Sequence, residues 1–270
     1  MSQSISTADS RSWPGAQGLN VVVTGGSSGI GRATCQLLGS LGANVAVHCR
    51  QNVAGANACV ADIEANGGRA FSVKADISVA ADRTRLVDDC WNRFDGRVDS
   101  WVHNAGADVL TGDAAAESFD EKCSRLWAVD VHGTTALARG VADRLLSQPD
   151  GPCLPSMVFI GWDQAPSGMD GDAGQMFGPV KAAVMALSTS MAQALAPNVR
   201  VNCVAPGWIQ TAWGDNTSDY WDQRARSSSL LGRWGKPEDV AGAIAFLISP
   251  AAEFVNGQTI EVNGGWNRRI

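Results

Sequence analysis

Between Leu19 and Gly31 the chain passes from an apolar run, LNVVVT, into a turn with glycine at 25, 26, 29 and 31, and then into a helical pattern. That junction limits the fold more than any other feature. Gly25 permits a tight turn at the end of a strand, and Gly31 permits a helix to pack close against that strand. The alternation then repeats. Apolar runs at Asn44–His48, Ala70–Lys74, Asp99–His103, Met157–Gly161, Val199–Val204 and Gln258–Val262 are bounded by turns. Several lack polar alternation, as expected of strands covered on both faces. Helical patterns lie near 29–41, 54–66, 80–94, 119–147, 176–196 and 237–248. In the fifth, Val180, Val184, Leu187, Met191 and Leu195 form one apolar stripe. Seven strands alternating with helices predict right-handed βαβ units. The fold class is therefore α/β, a doubly wound, mostly parallel, seven-stranded Rossmann-type sheet with helices on both faces. No second core or linker is visible, so residues 19–270 read as one domain behind a flexible Ser-rich tail over 1–18.

Charge removes several classes of function. The chain of 270 residues carries a formal net charge of −6, with no run of Lys or Arg longer than two. A nucleic-acid or anionic-membrane partner would need a basic face, so neither is expected. The seven cysteines form no CxxC pair and predict neither a metal site nor a disulfide framework. With no apolar leader and no membrane-length apolar run, the expected location is cytoplasmic.

The turn also has chemistry of its own. Gly29 lets the backbone approach a pyrophosphate, and the helix that follows offers its first N–H groups and positive dipole end to phosphates. The spacing Thr24-Gly25-Gly26-Ser27-Ser28-Gly29-Ile30-Gly31 is T-G-x-x-x-G-x-G. Asn104-Ala105-Gly106 follows the fourth strand and Lys181 follows the fifth. Pro206-Gly207-Trp208-Ile209-Gln210-Thr211 follows the sixth, and Gly264-Gly265 the seventh. In this order the motifs resemble the short-chain dehydrogenase/reductase family over about residues 19–266, and within it the 3-oxoacyl-carrier-protein and pteridine reductases. The resemblance implies a nicotinamide dinucleotide and a small-molecule substrate. Its phosphates would lie on the backbone of Ser27, Ser28, Gly29 and Ile30 and its adenine on Asp76, with Gly25, Gly31 and Ile77 also in the cofactor site. Asn104, Ala105, Gly106, Lys181, Pro206, Gly207, Ile209 and Thr211 would line the rest, with a substrate loop at about 208–235. It also implies a homo-oligomer, dimer or tetramer, pairing through 80–94, 119–147 and 176–196, which would place Cys90, Cys123, Leu126 and Trp127 near interfaces.

The choice of cofactor follows from charge. Users of NAD place a carboxylate about 20 residues past the glycines to hold the adenosine ribose. Between Gly31 and Asp62 there is no Asp or Glu, and the second strand ends in His48-Cys49-Arg50. Arg50, assisted by His48, is expected to hold a 2′-phosphate, which makes the cofactor NADP(H).

At the reacting end the sequence departs from the family. Its chemistry rests on Tyr-x-x-x-Lys, in which the cation lowers the phenol pKa, supported by Ser and Asn. Here the segment reads Phe177-Gly178-Pro179-Val180-Lys181. Pro179 is expected in the first turn of its helix. The family's Ser falls near Trp162, with Ser167 a possible substitute, and its Asn position holds Asp130. Candidate catalytic groups are Lys181, Asp163, Asp130 and Tyr220, the only tyrosine. Trp162, Phe177, Trp208, Trp213 and Trp221 are expected to wall an aromatic substrate pocket suited to a bulky or planar molecule. Two readings follow. One is an NADP(H)-dependent oxidoreductase acting on a carbonyl, imine or enone with a non-standard proton donor. The other is a catalytically degenerate NADP(H)-binding protein serving as sensor, partner subunit or non-redox catalyst.

Overall fold

The structure is a computed structural model. It describes residues 15–215 and 217–266, with the backbone alone for Trp213 and Asp215. The expected tail therefore lies outside the described residues as far as position 14. Its last four residues are not loose: Ala16 is buried, and Gly18 donates to the Gly42 carbonyl at 2.8 Å.

The first half runs β1 (Asn20–Val23), α1 (Gly29–Ser40), β2 (Asn44–Cys49), α2 (Val53–Ala65), β3 (Arg69–Lys74), α3 (Ala80–Arg93) and β4 (Ser100–His103). It continues through α4 (Phe119–Leu126), α5 (Thr134–Ser147), β5 (Ser156–Ile160), α6 (Gly171–Leu195) and β6 (Arg200–Pro206). The chain ends with α7 (Ala212–Asp215), α8 (Asp219–Ser228), α9 (Pro237–Ile248) and β7 (Thr259–Val262). All seven strands pair in parallel in the order β3-β2-β1-β4-β5-β6-β7. Period-two alternation sends Val21 and Val23 to one face, against α1, α2 and α9. Val22 goes to the other face, against α3, α5 and α6. Each expected strand is found within two residues of its bounds. Because the strand order reverses between β1 and β4, the loops leaving their carboxyl ends diverge and open a crevice there.

Three expectations need correction. The single helix over 119–147 is interrupted by a π-helical segment, Trp127–Gly133, which widens the turn that carries Asp130. Pro179 does not open its helix. Helix α6 starts at Gly171 and carries Pro179 in its interior. The cost is the bond its missing N–H would give the Gln175 carbonyl, and both residues are exposed, so water can serve that carbonyl. The segment 208–235 is not an open loop, since α7 and α8 form within it. Of the residues expected near interfaces, Cys90 and Leu126 are fully buried in the chain's own core, whereas Trp127 is substantially exposed and Cys123 half-buried.

Candidate functional site

The glycine turn is built as its spacing predicts. Gly25 holds φ at +69°. Gly31 sits so close beneath it that a Cβ there would lie 2.1 Å from the Gly25 carbonyl oxygen and 2.5 Å from Asn104 Nδ2. The N-cap Ser28 makes no side-chain capping bond, and the first turn of α1 holds no acidic residue. An uncapped helix start behind a turn that is glycine at 25, 26 and 29 fits a pyrophosphate. Asn104 works from behind: its Nδ2 donates to the Thr24 carbonyl at 2.9 Å and the Gly25 carbonyl at 3.2 Å, tying β4 to the turn.

His48 does not face a phosphate. The Gly25 N–H donates to its Nδ1 at 3.1 Å, so Nε2 carries the proton and donates to the Ala75 carbonyl at 3.0 Å. Burial pushes its pKa down to about 4, so the ring is neutral at physiological pH and serves to hold the glycine turn. The sequence expectation missed this because the ring points inward from the last turnward positions of β2. Arg50, one residue beyond the strand, is exposed and donates to Gln51 Oε1 at 3.3 Å. Asn52 Nδ2 reaches the Ser27 carbonyl at 3.5 Å, which keeps the end of β2 beside the turn. Asp76 is half-buried, and its Oδ1 accepts from the Ser78 N–H and hydroxyl at 2.9 and 2.6 Å, while Ile77 is buried beside it.

A cleft of 570 Å³ opens from this turn. Among its lining residues are Ile30, Asn104, Gly106, Pro206, Gly207, Ile209 and Thr211, all expected around a cofactor. At its floor Asp130 and Lys181 come together, Nζ to Oδ2 3.1 Å, with side chains 3% and 18% exposed. The other Asp130 oxygen accepts from the Ala107 N–H at 2.7 Å, and Lys181 also donates to the Ile160 carbonyl at 3.4 Å. With both oxygens accepting, Asp130 has no O–H to offer in this arrangement; it anchors the ammonium. Phe177, one turn before Lys181 on α6, lines the same cleft with Trp162, Trp208 and Trp221.

The other candidates are not brought here. Asp163 alternates away from the cleft, behind Gly207, where Asn263 Nδ2 donates to its Oδ2 at 3.1 Å. Burial pushes its carboxyl up to about 6. Tyr220 is 61% exposed on α8, where its hydroxyl accepts from Arg224 at 3.2 Å, so it does not line the cleft. Ser167 is exposed and likewise outside the lining. The Trp213 side chain lies outside the described residues. In return the structure adds Trp234, whose Nε1 donates to Asp222 at 2.8 Å and whose ring meets Trp208 edge-on at 5.9 Å. Its only sequence signal was its place at the end of the tryptophan-rich 208–235 segment. Asp108 and Leu110, also in the lining, had no signal beyond following the Asn104–Gly106 motif.

The described residues hold no group of three or more His, Cys, Asp or Glu that could bind a metal, and no helix among them is long and apolar enough to cross a membrane.

Comparison with known proteins agrees with this geometry. A family model described as enoyl-(acyl carrier protein) reductase matches residues 25–267. An L-rhamnose 1-dehydrogenase (NAD(P)(+)) from a Sphingomonas species is 35% identical over 254 residues, covering 92% of this chain and 96% of the relative. A 3-oxoacyl-[acyl-carrier-protein] reductase from a Synechocystis species is 34% identical over 248 residues, covering 90% of this chain and 95% of the relative. The crystal structure of a short chain dehydrogenase from Burkholderia cenocepacia in complex with NADP aligns with a TM-score of 0.80 at 30% identity, over 93% of this chain and 98% of that one.

Proposed function

The chain belongs to the short-chain dehydrogenase/reductase family of nicotinamide-dependent oxidoreductases, and from that premise we propose that it is an NADP(H)-dependent reductase of a bulky or planar small molecule. The bond reduced is a polarised double bond, carbonyl, imine or enone, and the proton donor is not a tyrosine. The observation that carries this reading is the cleft itself. It joins an intact glycine turn to a paired Lys181 and an indole wall, with Phe177 one turn before the lysine.

The cofactor, when bound, supplies a hydride. Ser27, Ser28, Gly29 and Ile30 would hold its phosphates on backbone N–H groups, and Lys181, steadied by Asp130, would grip the ribose next to the nicotinamide. Arg50 supports NADP(H) over NAD(H), since it is an exposed cation beside the turn in a stretch without carboxylates. Where the reduced atom needs a proton, the acidic protons among described cleft-lining side chains belong to the Lys181 ammonium and the Thr211 hydroxyl. The degenerate binding protein is the lesser reading, because a bare scaffold has no need of a 570 Å³ cleft walled by indoles.

The test is direct. Unmodified protein should bind NADPH more tightly than NADH, and Arg50→Asp should reverse that order; an unchanged preference would remove Arg50 from the reading. A homo-oligomer, dimer or tetramer, belongs to the same proposal, and a stable monomer by light scattering at micromolar concentration would contradict it.

A further inference from the structure

Charge and aromatic geometry in the cleft bear on which substrate it takes. Three charged side chains are among the described residues lining it: Asp108, Asp130 and Lys181. Asp130 and Lys181 are spent on each other at 3.1 Å. Asp108 is left over. Its Oδ1 accepts from the Leu110 and Thr111 N–H groups, each at 3.0 Å, and its Oδ2 from the Thr111 hydroxyl, which fixes the solvent-exposed carboxylate, and it forms no ion pair among the described residues. The cleft lining therefore carries one negative charge, held by its own loop, that has no ion-pair partner among the described residues.

Elsewhere in the same lining, aromatic rings form a corner. Trp208 meets Trp221 at 5.7 Å between centroids with a 39° tilt, and Trp234 at 5.9 Å with a 79° angle. Trp162 and Phe177 line the same space. Indole faces attract cations through their quadrupole, and more strongly where water is displaced. Arg224, whose guanidinium lies 5.3 Å from the Trp221 ring centre, does not cancel the excess, because it is paired with Asp170 at 2.5 Å.

The geometry points to a planar organic cation, an iminium or protonated cyclic imine, as the substrate of this cleft. The chemical half of this inference rests on the reductase reading; the binding half rests on charge and rings alone. Hydride addition to an iminium carbon forms one C–H bond, moves the C=N π pair onto nitrogen and leaves a neutral amine beside the oxidised nicotinamide. Charge and electrons balance with no proton supplied. Reduction of a ketone leaves an alkoxide that must be protonated; Phe177 has no proton to give, so that proton would have to come from Lys181 or Thr211. A cleft that lacks the phenol and keeps a carboxylate outside any ion pair is thus better matched to the first substrate than to the second.

The experiment uses the full chain and a size-matched pair of probes, the N-methyl dihydroisoquinolinium cation and the neutral ketone alpha-tetralone. Binding is measured by calorimetry, first without cofactor and then with saturating NADP+, and NADPH oxidation is followed separately. The cation should bind about tenfold more tightly than the ketone, the size of one well-placed cation–π and charge contact. Asp108→Asn should cost the cation about three- to fivefold at low salt and leave the ketone unchanged. Equal or tighter ketone binding, or an equal effect of Asp108→Asn on both probes, overturns the inference. Turnover of the ketone without turnover of the cation also overturns it while leaving the reductase reading in place. Tighter cation binding with neither probe reduced supports the ligand assignment and counts against the reductase reading.

Discussion

His103 offers the most quantitative test of how the core is built. It ends β4, is 4% exposed, and neither ring nitrogen has a hydrogen-bond partner among the described residues. Its ring stacks on Phe159 with centroids 4.5 Å apart and planes 14° from parallel. Burial pushes its pKa from the ordinary 6.5 down to about 3, so the folded chain keeps the ring neutral. The unfolded chain takes up a proton as pH falls through 6.5. The folded chain does not follow until about 3, so stability present above 6.5 is lost progressively as pH falls towards 3. The loss runs at about 1.4 kcal/mol per pH unit. His103→Phe keeps the ring stack and removes both the titration and the two unpaired nitrogens. At neutral pH the variant should be more stable by about 1–3 kcal/mol, the cost of a buried polar group without a partner. Urea unfolding at a series of pH values should show that advantage growing by about 2 kcal/mol on going to about pH 5. His48 and Asp163 titrate in both proteins and cancel from the comparison. An advantage that stays constant with pH would mean that His103 is not a desolvated neutral ring, and the argument would fail.

Two further outcomes follow from buried charge. Lys181→Met strands the Asp130 carboxylate, which is 3% exposed, and should destabilise the fold by about 3 kcal/mol, with most of the loss restored in Lys181→Met/Asp130→Asn; denaturant midpoints that do not recover in the double variant would show that the pair is not coupled. Asp163→Asn should stabilise the protein by about 3 kcal/mol above pH 6, because burial holds that carboxyl at about 6 against an ordinary 3.8, and the gain should vanish below pH 3.8; a gain equally large in acid would contradict that sign.

What could be read from residues alone followed from periodicity and backbone sterics. The strands were legible because Val21, Val22 and Val23 are buried on both faces of a parallel sheet, which leaves continuous apolar runs. The glycine turn was legible because no other residue fits beneath the Gly25 carbonyl. Side-chain direction was not. His48 and Asp163 both stand at strand ends near the site, yet one points in to hold the turn and the other back towards Asn263. Residue type does not encode that choice; the path of the neighbouring loop does. The π segment at Trp127–Gly133 was equally hidden, since its apolar spacing differs little from an ordinary helix, and it is what aims Asp130 at Lys181. Pro179 misled because its helix tolerates the missing N–H on an exposed face.

The central claim is that redox chemistry survives in this cleft without a tyrosine. Steady-state NADPH oxidation by the unmodified protein, scanned over carbonyl, iminium and enone compounds, tests it most directly, with Lys181→Ala and Phe177→Tyr alongside. The account predicts turnover of at least one planar substrate, lost together with NADPH affinity in Lys181→Ala and little changed in Phe177→Tyr. Tight NADPH binding with no turnover of any compound would contradict it, and so would a large gain of ordinary ketone reduction from Phe177→Tyr alone.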